Sequence, residues 1–423
     1  MRLRRLTDDV FYRVARMGRA TGIRVSNDAL GSHAEALLAR PVTLGDLSLA
    51  FDESSASSAE VLVEGEQFYP PMLADIESAT SSIHINQFGF RPGIVGDRFA
   101  AVLIRKAEEG VPVRIVVDRQ GSAPEEGARE HYERLTGAGI QVCVVRATKP
   151  RAPFGVLGGG GANRWNLAAL GHIDHRKVIV VDGRTGWVGG AGIEDHFEDG
   201  RFHDLFLRVT GPVVSQLQLV FVASYRWLGG EIPPGEVDAL FPAESEGEIP
   251  AVVLHNAPGK YRPITDQIAE MLDGARETLD VVNPYVTDRG MINRIAGASR
   301  RGVRVRLFVP ANANNWACAA AQQFHHGKLL EAGVRILEYP EMLHAKAFVR
   351  DGEDVLAGTC NLEAWSLKRF FEIDLLVRSK TLASQFEERF SVPAEAVSRP
   401  GVVLTGLKPR AKATAFSAIS PLL

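Results

Sequence analysis

Residues 175–182 read His-Arg-Lys-Val-Ile-Val-Val-Asp, and residues 344–351 read His-Ala-Lys-Ala-Phe-Val-Arg-Asp. In both stretches a glycine, Gly189 or Gly358, lies fourteen positions beyond the histidine (189 − 175 and 358 − 344). Because side chains two residues apart on a β-strand lie on the same face, each histidine projects together with the lysine that follows it. The two stretches therefore predict two strands, each of which presents an imidazole beside an ammonium group.

A second pair of matching stretches places these strands in a repeated fold. Residues 110–118 read Gly-Val-Pro-Val-Arg-Ile-Val-Val-Asp, and residues 302–310 read Gly-Val-Arg-Val-Arg-Leu-Phe-Val-Pro, at an offset of 192 (302 − 110). Each half alternates helical and strand patterns before its His-x-Lys strand, which is typical of sheets flanked by helices. We therefore expect an α/β protein of two homologous domains, each a mixed β-sheet flanked by helices, packed about a pseudo-two-fold axis with one shared active site.

The composition of the 423-residue chain is that of an ordinary globular protein, with 45% hydrophobic and 23% charged residues and a formal net charge of -3. This near-neutral charge does not favour nucleic acid as a partner. The three cysteines, Cys143, Cys318 and Cys360, are too few and too widely spaced for a disulfide framework or a zinc site, and they indicate a reducing compartment. No stretch approaches the ~20 consecutive apolar residues that span a bilayer, so membrane contact is expected to be peripheral.

The repeat and the local composition set the expected domain boundaries. We predict a basic amphipathic segment over 1–60, a first domain over 61–228, a linker over 229–250, a second domain over 251–400 and a basic tail over 401–423. The first half also carries 25 more residues than the second just before its motif (36 − 11, counted from Gly139 and Gly333). This glycine-rich insertion is either a mobile loop at the mouth of the site or an ordinary surface loop.

Paired histidines and lysines suit the cleavage of a phosphodiester. A neutral imidazole can attack phosphorus, lysines can neutralise the non-bridging oxygens, and a protonated imidazole can protonate the leaving alkoxide. One half supplies only half of this set, so we expect both His–Lys pairs to surround one phosphate, without a metal or another cofactor. Small residues after each motif, Gly190 and Thr359, would let backbone N–H groups approach that phosphate.

Carboxylates are also needed, because two imidazoles beside two ammonium groups tend to lose their protons. Asp204 lies 29 residues beyond His175, and Glu372 lies 28 residues beyond His344, each at the start of an apolar strand. A carboxylate that accepts a hydrogen bond from one ring nitrogen fixes the tautomer and raises the basicity of the other nitrogen. Asp204 and Glu372 are therefore the predicted supporting residues.

The other acidic and histidine residues near the motifs are expected to be structural. Asp182 and Asp351 each precede a glycine, so support of a turn is favoured over direct chemistry. Four further histidines have no equivalents across the repeat and no metal-ligand spacing, which favours surface or core positions. These histidines are His196, His203, His325 and His326.

With these residues, the chain resembles the phospholipase D superfamily, whose motif is His-x-Lys-x4-Asp-x6-Gly-Ser/Gly/Thr-x-Asn. Residues 344–361 match this motif fully and end in Asn361, whereas Gly192 stands in the place of the asparagine in the first copy. The similarity extends from about Tyr69 to Phe390 and is greatest to bacterial cardiolipin synthases. The stretches that carry this closer resemblance are 210–214, 283–285, 298–305 and 343–346.

The resemblance implies two phospholipase D-like domains and the transfer of a phosphatidyl group to phosphatidylglycerol through a phosphohistidine intermediate. It implies that His175 is the nucleophile and that His344 is the general acid. The catalytic residues that it carries over are His175, Lys177, Asp182, His344, Lys346 and Asp351. The supporting or phosphate-binding residues are Asp204, Glu372, Asn361, Gly190 and Thr359.

The leading interpretation is a phosphatidyltransferase that acts on an anionic phospholipid, phosphatidylglycerol, at a membrane surface. The alternatives are a phospholipase D that hydrolyses phospholipid, a metal-independent nuclease or phosphodiesterase, and a lipid-binding relative without activity. The first 24 residues hold seven arginines, and the tail carries Lys408, Arg410 and Lys412, so both ends could bind anionic lipid or could pack on their own domain. We expect a bacterial cytoplasmic protein bound peripherally to the inner face of the membrane, and the oligomeric state stays open.

Overall fold

The computed structural model describes residues 22–123, 126–145, 173–245, 247–259, 261–403, 405 and 407–419. The glycine-rich insertion before His175 and almost all of the arginine-rich start of the chain lie outside these ranges. The motifs and the strands that carry them lie inside.

Two large sheets form the scaffold, and the first contains seven strands. In spatial order they are β4 (Ser58–Val63), β11 (Leu205–Thr210), β9 (Thr185–Gly189), β8 (Lys177–Val181), β5 (Ile83–Gln87), β6 (Val113–Asp118) and β7 (Gln141–Val145). The strands β5, β6 and β7 are parallel, whereas the motif strand β8 is antiparallel to β5. The sheet is therefore mixed, and the first motif strand lies in its middle.

The second sheet repeats this order strand for strand and adds one strand at each edge. Its strands are β20 (Arg399–Pro400), β15 (Arg335–Tyr339), β14 (Arg304–Pro310), β13 (Thr278–Val282), β17 (Ala347–Arg350), β18 (Asp354–Gly358), β19 (Glu372–Arg378), β12 (Ile249–Asn256) and β3 (Ser54–Ala56). The order β12-β19-β18-β17-β13-β14-β15 corresponds to β4-β11-β9-β8-β5-β6-β7. The predicted pair of homologous mixed-sheet domains is thus confirmed.

Two further sheets in the described residues are short, and each consists of two parallel strands. The first joins β1 (Ile23–Val25) to β2 (Leu49–Phe51), before the repeat begins. The second joins β10 (Phe202–His203) of the first half to β16 (Met342–Leu343) of the second half. This second pair connects the two halves by hydrogen bonds directly beside the second motif.

Helices cover the outer faces of the sheets and fill the space between them. They are α1 (Leu30–Leu38), α2 (Gly65–Glu77), α3 (Ile94–Glu108), α4 (Arg119–Ser122), α5 (Ala128–Gly137), α6 (Val213–Trp227), α7 (Val237–Leu240), α8 (Pro263–Gly274), α9 (Arg289–Arg300), α10 (Trp316–Phe324), α11 (His326–Glu331), α12 (Ala364–Lys368), α13 (Lys380–Phe386), α14 (Val392–Val397) and α15 (Leu407–Ile419). Helix α6 contacts β5 and β8 of the first sheet and β12 of the second. Twelve of its fifteen residues are buried, as expected for a helix that lies between layers.

The two sheets share one hydrophobic core, so the halves face each other. In β8, Val178 and Val180 belong to the shared core, whereas Ile179 packs among the outer helices of the first half. In β17, Ala347 belongs to the shared core and Phe348 packs on the outer side. Successive side chains of each motif strand thus point alternately into the shared core and into the outer core of its own half. Both faces of each strand are apolar and buried, which holds the two motif strands in place.

The segments outside the repeat also pack on it. Strand β3 comes from the segment before the first domain but pairs with β12 of the second sheet. Within the predicted linker, Val237 and Leu240 of α7 are buried in the shared core. Helix α15 packs on α10, where the rings of Trp316 and Phe416 lie 4.8 Å apart. Among the helices of the described residues, none has the length and apolar character needed to cross a bilayer.

Candidate active site

The first motif reaches the interface along a segment that is hydrogen-bonded to the second half. The His175 N–H donates to the Phe371 carbonyl oxygen at 2.9 Å, and the Phe371 N–H donates to the carbonyl oxygen of Ile173 at 2.9 Å. This pairing brings the next residue, Glu372, to the His175 ring, where its carboxylate oxygens lie 3.1 and 3.2 Å from Nδ1. The acid of the second half therefore supports the histidine of the first half.

The second motif mirrors this arrangement. Beside the β10–β16 pair, the His344 N–H donates to the His203 carbonyl oxygen at 2.8 Å. Asp204 comes next in the chain, and one of its carboxylate oxygens lies 2.6 Å from Nδ1 of His344. Both acids are thus found at the histidines, but each is paired with the histidine of the opposite half. Each motif histidine therefore takes its acid from the opposite half.

Both lysines lie beside their histidines, as the strand periodicity predicts. Lys177 Nζ donates to the carbonyl oxygen of His175 at 2.7 Å and lies 4.9 Å from the centre of the Phe88 ring. Lys346 Nζ lies 3.0 Å from Nε2 of His344. Both lysine side chains are almost fully buried. Two ammonium groups are therefore held out of bulk water next to two imidazoles.

Burial controls the protonation of these groups. Desolvation lowers the pKa of both His175 and His344 well below the usual value for histidine, and the charges of the two lysines add to the effect. Desolvation also lowers the pKa of Lys177 to about 8 and that of Lys346 to about 7, and it raises the pKa of Glu372 to about 7. Without a bound phosphate the imidazoles are therefore neutral near pH 7. An anionic phosphate that enters would favour the charged form of both lysines and of His344.

Glu372 is held by a residue that the sequence did not point to. The Ser366 hydroxyl donates to a Glu372 carboxylate oxygen at 2.5 Å. Ser366 lies in α12, whose first turn is capped by the carboxylate of Glu363. The repeat gives no signal for this serine, because the equivalent position of the first half is Phe197 (366 − 344 and 197 − 175).

The small residues after each motif make room for acids. A side-chain Cβ at Gly190 would overlap the Asp204 carboxylate. The Gly190 N–H donates to the Leu205 carbonyl oxygen at 3.2 Å, and the Thr359 N–H donates to the Asp374 carboxylate at 2.8 Å. The expectation that these two N–H groups approach the phosphate is therefore wrong, because both already have partners within the sheet.

Asp182 and Asp351 lie at the other end of the motif strands from the histidines. Their φ angles of 53° and 52° are in the left-handed region, as in a tight hairpin turn. The Asp182 carboxylate accepts hydrogen bonds from backbone N–H groups at the start of β5, and the Asp351 carboxylate does so at the start of β13. The donors are Thr80, Ser81 and Ser82, and Arg276, Glu277 and Thr278. The structure assigns both aspartates to strand support, which corrects their grouping with the catalytic residues.

His196 lies closer to the site than expected. Its ring is 4.3 Å from that of Phe202 and 4.4 Å from that of Phe197, and both phenylalanines flank the His344 ring at 5.8 and 5.5 Å. A charge on His196 would lower the pKa of His344 further. The prediction of a structural surface or core position therefore missed a neighbour of the catalytic centre, since His196 has no counterpart across the repeat.

The other predicted positions are as follows. His203 is buried and its Nδ1 lies 2.8 Å from the Glu64 carboxylate, while His325 is buried beside Ser417. Asn361 is buried, and within the described part of the chain its Oδ1 has no hydrogen-bond partner. Its contact with a phosphate stays a prediction.

Across the described ranges, no three His, Cys, Asp or Glu side chains are grouped so that they could hold a metal ion.

Crossed histidine–acid pairs between two repeated mixed sheets define a phospholipase D-type site for phosphodiester chemistry. The family model described as "Cardiolipin synthase, PLD-like domain" matches residues 72–218 and 268–392, which is more than half of the chain. The chain belongs to this family.

Curated relatives carry the same name. The probable cardiolipin synthase YwiE of Bacillus subtilis (strain 168) is 26% identical over 370 residues, which cover 85% of this chain and 71% of that protein. The cardiolipin synthase of Geobacillus kaustophilus (strain HTA426) is 30% identical over 76% of this chain and 63% of that protein. Cardiolipin synthase A of Pseudomonas syringae pv. syringae (strain B728a) is 28% identical over 78% of this chain and 67% of that protein. The chain spans about two-thirds of the length of these relatives.

Solved structures share the fold. Phosphatidylserine synthase of Haemophilus influenzae Rd KW20 superposes with a TM-score of 0.66 at 14% identity, over 93% of this chain and 100% of that chain. Polyphosphate kinase of Porphyromonas gingivalis superposes with a TM-score of 0.52 at 12% identity, over 86% of this chain and 54% of that chain. At these identities the likeness concerns the fold alone.

Proposed function

We propose that this chain transfers a phosphatidyl group from one phosphatidylglycerol to the hydroxyl of another, as a cardiolipin synthase does. His175 attacks the phosphorus and His344 protonates the leaving alcohol. The crossed histidine–acid pairs carry this proposal, because they place two separately supported imidazoles and two lysines at one interface. The relatives that are named cardiolipin synthases support the choice of substrate.

The two acids support a division of roles between the histidines. Asp204 lies 2.6 Å from the His344 ring, the short distance of a charge-assisted hydrogen bond, which favours an imidazolium that can act as an acid. Glu372 lies farther from the His175 ring, at 3.1 Å. Burial raises the pKa of both carboxyl groups, and it raises that of Glu372 to about 7. The longer contact orients His175 and leaves its imidazole neutral, as a nucleophile must be.

The reaction has two steps. In the first, Nε2 of His175 forms a bond to phosphorus, the bond from phosphorus to the leaving oxygen breaks, and His344 gives its proton to that oxygen. In the second, His344 takes the proton of the acceptor hydroxyl, whose oxygen displaces Nε2. Lys177 and Lys346 neutralise the non-bridging oxygens in both steps. Water in place of the acceptor would give hydrolysis instead.

Lipid analysis after incubation with vesicles tests this function. Phosphatidylglycerol vesicles are expected to yield cardiolipin and glycerol, detected by mass spectrometry, with wild-type protein but not with His175→Ala. Phosphatidic acid without cardiolipin would replace the proposal by a phospholipase. Cleavage of a labelled oligonucleotide without lipid turnover would replace it by a nuclease. Folded protein that binds lipid and turns over neither substrate would contradict all catalytic interpretations.

The same protein docks on the membrane through the surface formed by α10 and α15. Trp316 is 59% exposed and Phe324 is 44% exposed, so α10 presents two large apolar side chains to solvent. Lys412 Nζ lies 4.8 Å from the Trp316 ring, and the sequence of α15 contains three basic and no acidic residues. An aromatic ring beside basic groups suits the interface of an anionic bilayer.

This surface lies next to the catalytic centre. The Asn314 N–H, at the start of the α10 segment, lies 3.4 Å from the sulfur of Met342, two residues before His344. A lipid bilayer that receives Trp316 would therefore lie near the segment that carries the second motif. We propose that docking occurs at the inner face of the membrane, because the three free and buried cysteines suit a reducing compartment.

Vesicle flotation tests the docking surface. Trp316→Ala and Lys412→Ala are expected to weaken binding to phosphatidylglycerol vesicles, and neutral phosphatidylcholine vesicles are expected to bind wild type weakly. Val397→Ala is the matched control, because Val397 is a 55% exposed apolar residue outside the surface formed by α10 and α15. It lies on α14, whose Glu395 pairs with Arg335 at the start of β15. Equal flotation of the Trp316 and Val397 variants would contradict this surface.

A further inference from the structure

The first half departs from the motif at Gly192, where the second half has Asn361. Two residues later, both halves have a glutamate, Glu194 and Glu363, nineteen positions beyond the motif histidine (194 − 175 and 363 − 344). In the second half the Glu363 carboxylate caps α12 by accepting the Trp365 N–H at 2.6 Å. The Glu363 side chain therefore points to its own helix, and Asn361 occupies the motif position without competition from it.

The glutamate of the first half is used differently. Glu194 precedes the short helix Asp195–Phe197 but makes no side-chain cap bond to it. Its carboxylate lies instead against Gly192 and Gly89, so that a Cβ at either glycine would overlap Oε1. An asparagine at position 192 and Glu194 in its present place therefore exclude each other. The two glycines form a recess that the carboxylate fills.

This recess is held from several sides. The Glu194 carboxylate lies 2.9 Å from Arg91 Nε, and the Arg91 Nε also donates to the Gly121 carbonyl oxygen at 2.6 Å. The Tyr69 hydroxyl, which is fully buried, donates to the Gly192 carbonyl oxygen at 2.6 Å. His196 Nε2 lies 3.8 Å from the same carboxylate. The position of Glu194 is thus fixed by neighbours from separate elements.

We propose that Glu194 is a positioning residue that takes the place of the missing motif asparagine and acts on the bound phosphate through Lys177. The proposal rests on the proposed phosphodiester chemistry. A carboxylate cannot donate a hydrogen bond to a phosphate oxygen as an asparagine amide can, so Glu194 acts through the lysine. The first half thereby binds the phosphate by charge, and the second half adds the amide of Asn361.

The groups that face Lys177 agree with this role. Desolvation lowers the pKa of Lys177, and the carboxylates that oppose this effect are Glu372, Asp204, Glu194 and Asp174, in decreasing order. The first two also support the motif histidines and act on Lys346 as well. Glu194 adds an acid on the side of the site that belongs to the first half. Its carboxylate lies against Gly89, and the ring of the preceding residue, Phe88, lies 4.9 Å from Lys177 Nζ.

Titration of Lys177 by NMR tests the inference without relying on turnover. In protein labelled with carbon-13 at lysine Cε, the Lys177 signal is assigned from its loss in Lys177→Arg. The Glu194→Gln variant is expected to move the titration midpoint of Lys177 to lower pH by about half a unit or more. Glu198→Gln is the matched control, since Glu198 lies in the same segment and pairs with Arg98. An unchanged midpoint in Glu194→Gln would overturn the role.

Turnover and rescue complete the test. In Glu194→Gln the alkaline limb of kcat/KM should move in the same direction as the Lys177 midpoint. Gly192→Asn alone should lower both Tm and kcat/KM, and Gly192→Asn with Glu194→Ala should recover at least half of each loss. If the double variant does not recover Tm, an asparagine at position 192 and the Glu194 carboxylate do not compete for the same recess, and the proposal is wrong. Absence of turnover in the wild type, with a shifted Lys177 midpoint in Glu194→Gln, would refute the proposed function and leave the placement of Glu194 supported.

Discussion

Replacement of Asp204 by asparagine is expected to slow the departure of a natural alcohol by about 30-fold, because a hydrogen bond to a charged group contributes about 2 kcal/mol and each 1.36 kcal/mol is about tenfold in rate. The Asp204 carboxylate is fully buried and lies 2.6 Å from Nδ1 of His344. An asparagine of the same shape keeps the packing but loses the charge that stabilises the imidazolium. The loss should therefore appear only where His344 must donate a proton.

Two donor lipids separate this effect from general damage. Phosphatidylglycerol releases an alkoxide that must be protonated, whereas a phosphatidyl ester of p-nitrophenol releases a stable phenolate that needs no acid. Pre-steady-state release of glycerol should fall about 30-fold in Asp204→Asn, in line with the loss of about 2 kcal/mol. The burst of p-nitrophenol should be nearly unchanged.

Glu372→Gln is the matched comparison, because Glu372 supports the nucleophile. This variant should slow the release of both leaving groups. If Asp204→Asn slows the p-nitrophenol burst as much as glycerol release, Asp204 acts on the nucleophile, and the crossed assignment of acids to histidines is refuted.

The remaining predictions concern strand support and protonation. Asp182→Asn should destabilise the fold by about 2 kcal/mol and lower Tm in a thermal scan, because the Asp182 carboxylate accepts three backbone N–H groups. Its kcat/KM should stay near the wild-type value, and a collapse of kcat/KM at unchanged Tm would return Asp182 to the chemistry. The wild-type kcat/KM, measured from about pH 5 to 9, should fall as pH rises through about 7 to 8, where Lys346 and Lys177 lose their protons. The wild-type kcat/KM should stay high below the usual pKa of histidine, since desolvation keeps His175 neutral there. A loss of activity near pH 6.5 would contradict this expectation.

The architecture could be predicted from local patterns. A strand has a period of two, so the His-x-Lys stretches had to place both side chains on one face, and the offset of 192 between the two glycine-led strands had to mean a repeated sheet. The matched strand order of the two sheets follows from that repeat. The glycine after each motif aspartate likewise indicated the hairpin turns that Asp182 and Asp351 occupy.

The crossed pairing could not be predicted in the same way. It depends on the contact of Phe371 with the segment before His175 and on the β10–β16 pair, which join residues about 140 to 200 positions apart. The sequence spacing connects Asp204 to His175 and Glu372 to His344, each within its own half. The face-to-face packing of the halves instead places Glu372 at His175 and Asp204 at His344.

The residues without a counterpart across the repeat were the ones missed. Ser366 supports Glu372 but aligns with Phe197, and His196 lies beside Phe202 near the second motif although it belongs to the first half. The departure at Gly192 was visible in the sequence. Its physical reason, the carboxylate of Glu194 in the recess, depends on side-chain placement that no periodicity records.

Identification of the histidine that carries the phosphatidyl group tests the mechanism most directly. Wild type and His344→Ala are mixed with radiolabelled phosphatidyl p-nitrophenol, quenched in base because phosphohistidine is labile in acid, and digested for peptide mass spectrometry. The label is expected on the peptide that contains His175, with greater accumulation in His344→Ala and none in His175→Ala. Label on His344, or turnover without any labelled histidine, would contradict the assignment of His175 as the nucleophile.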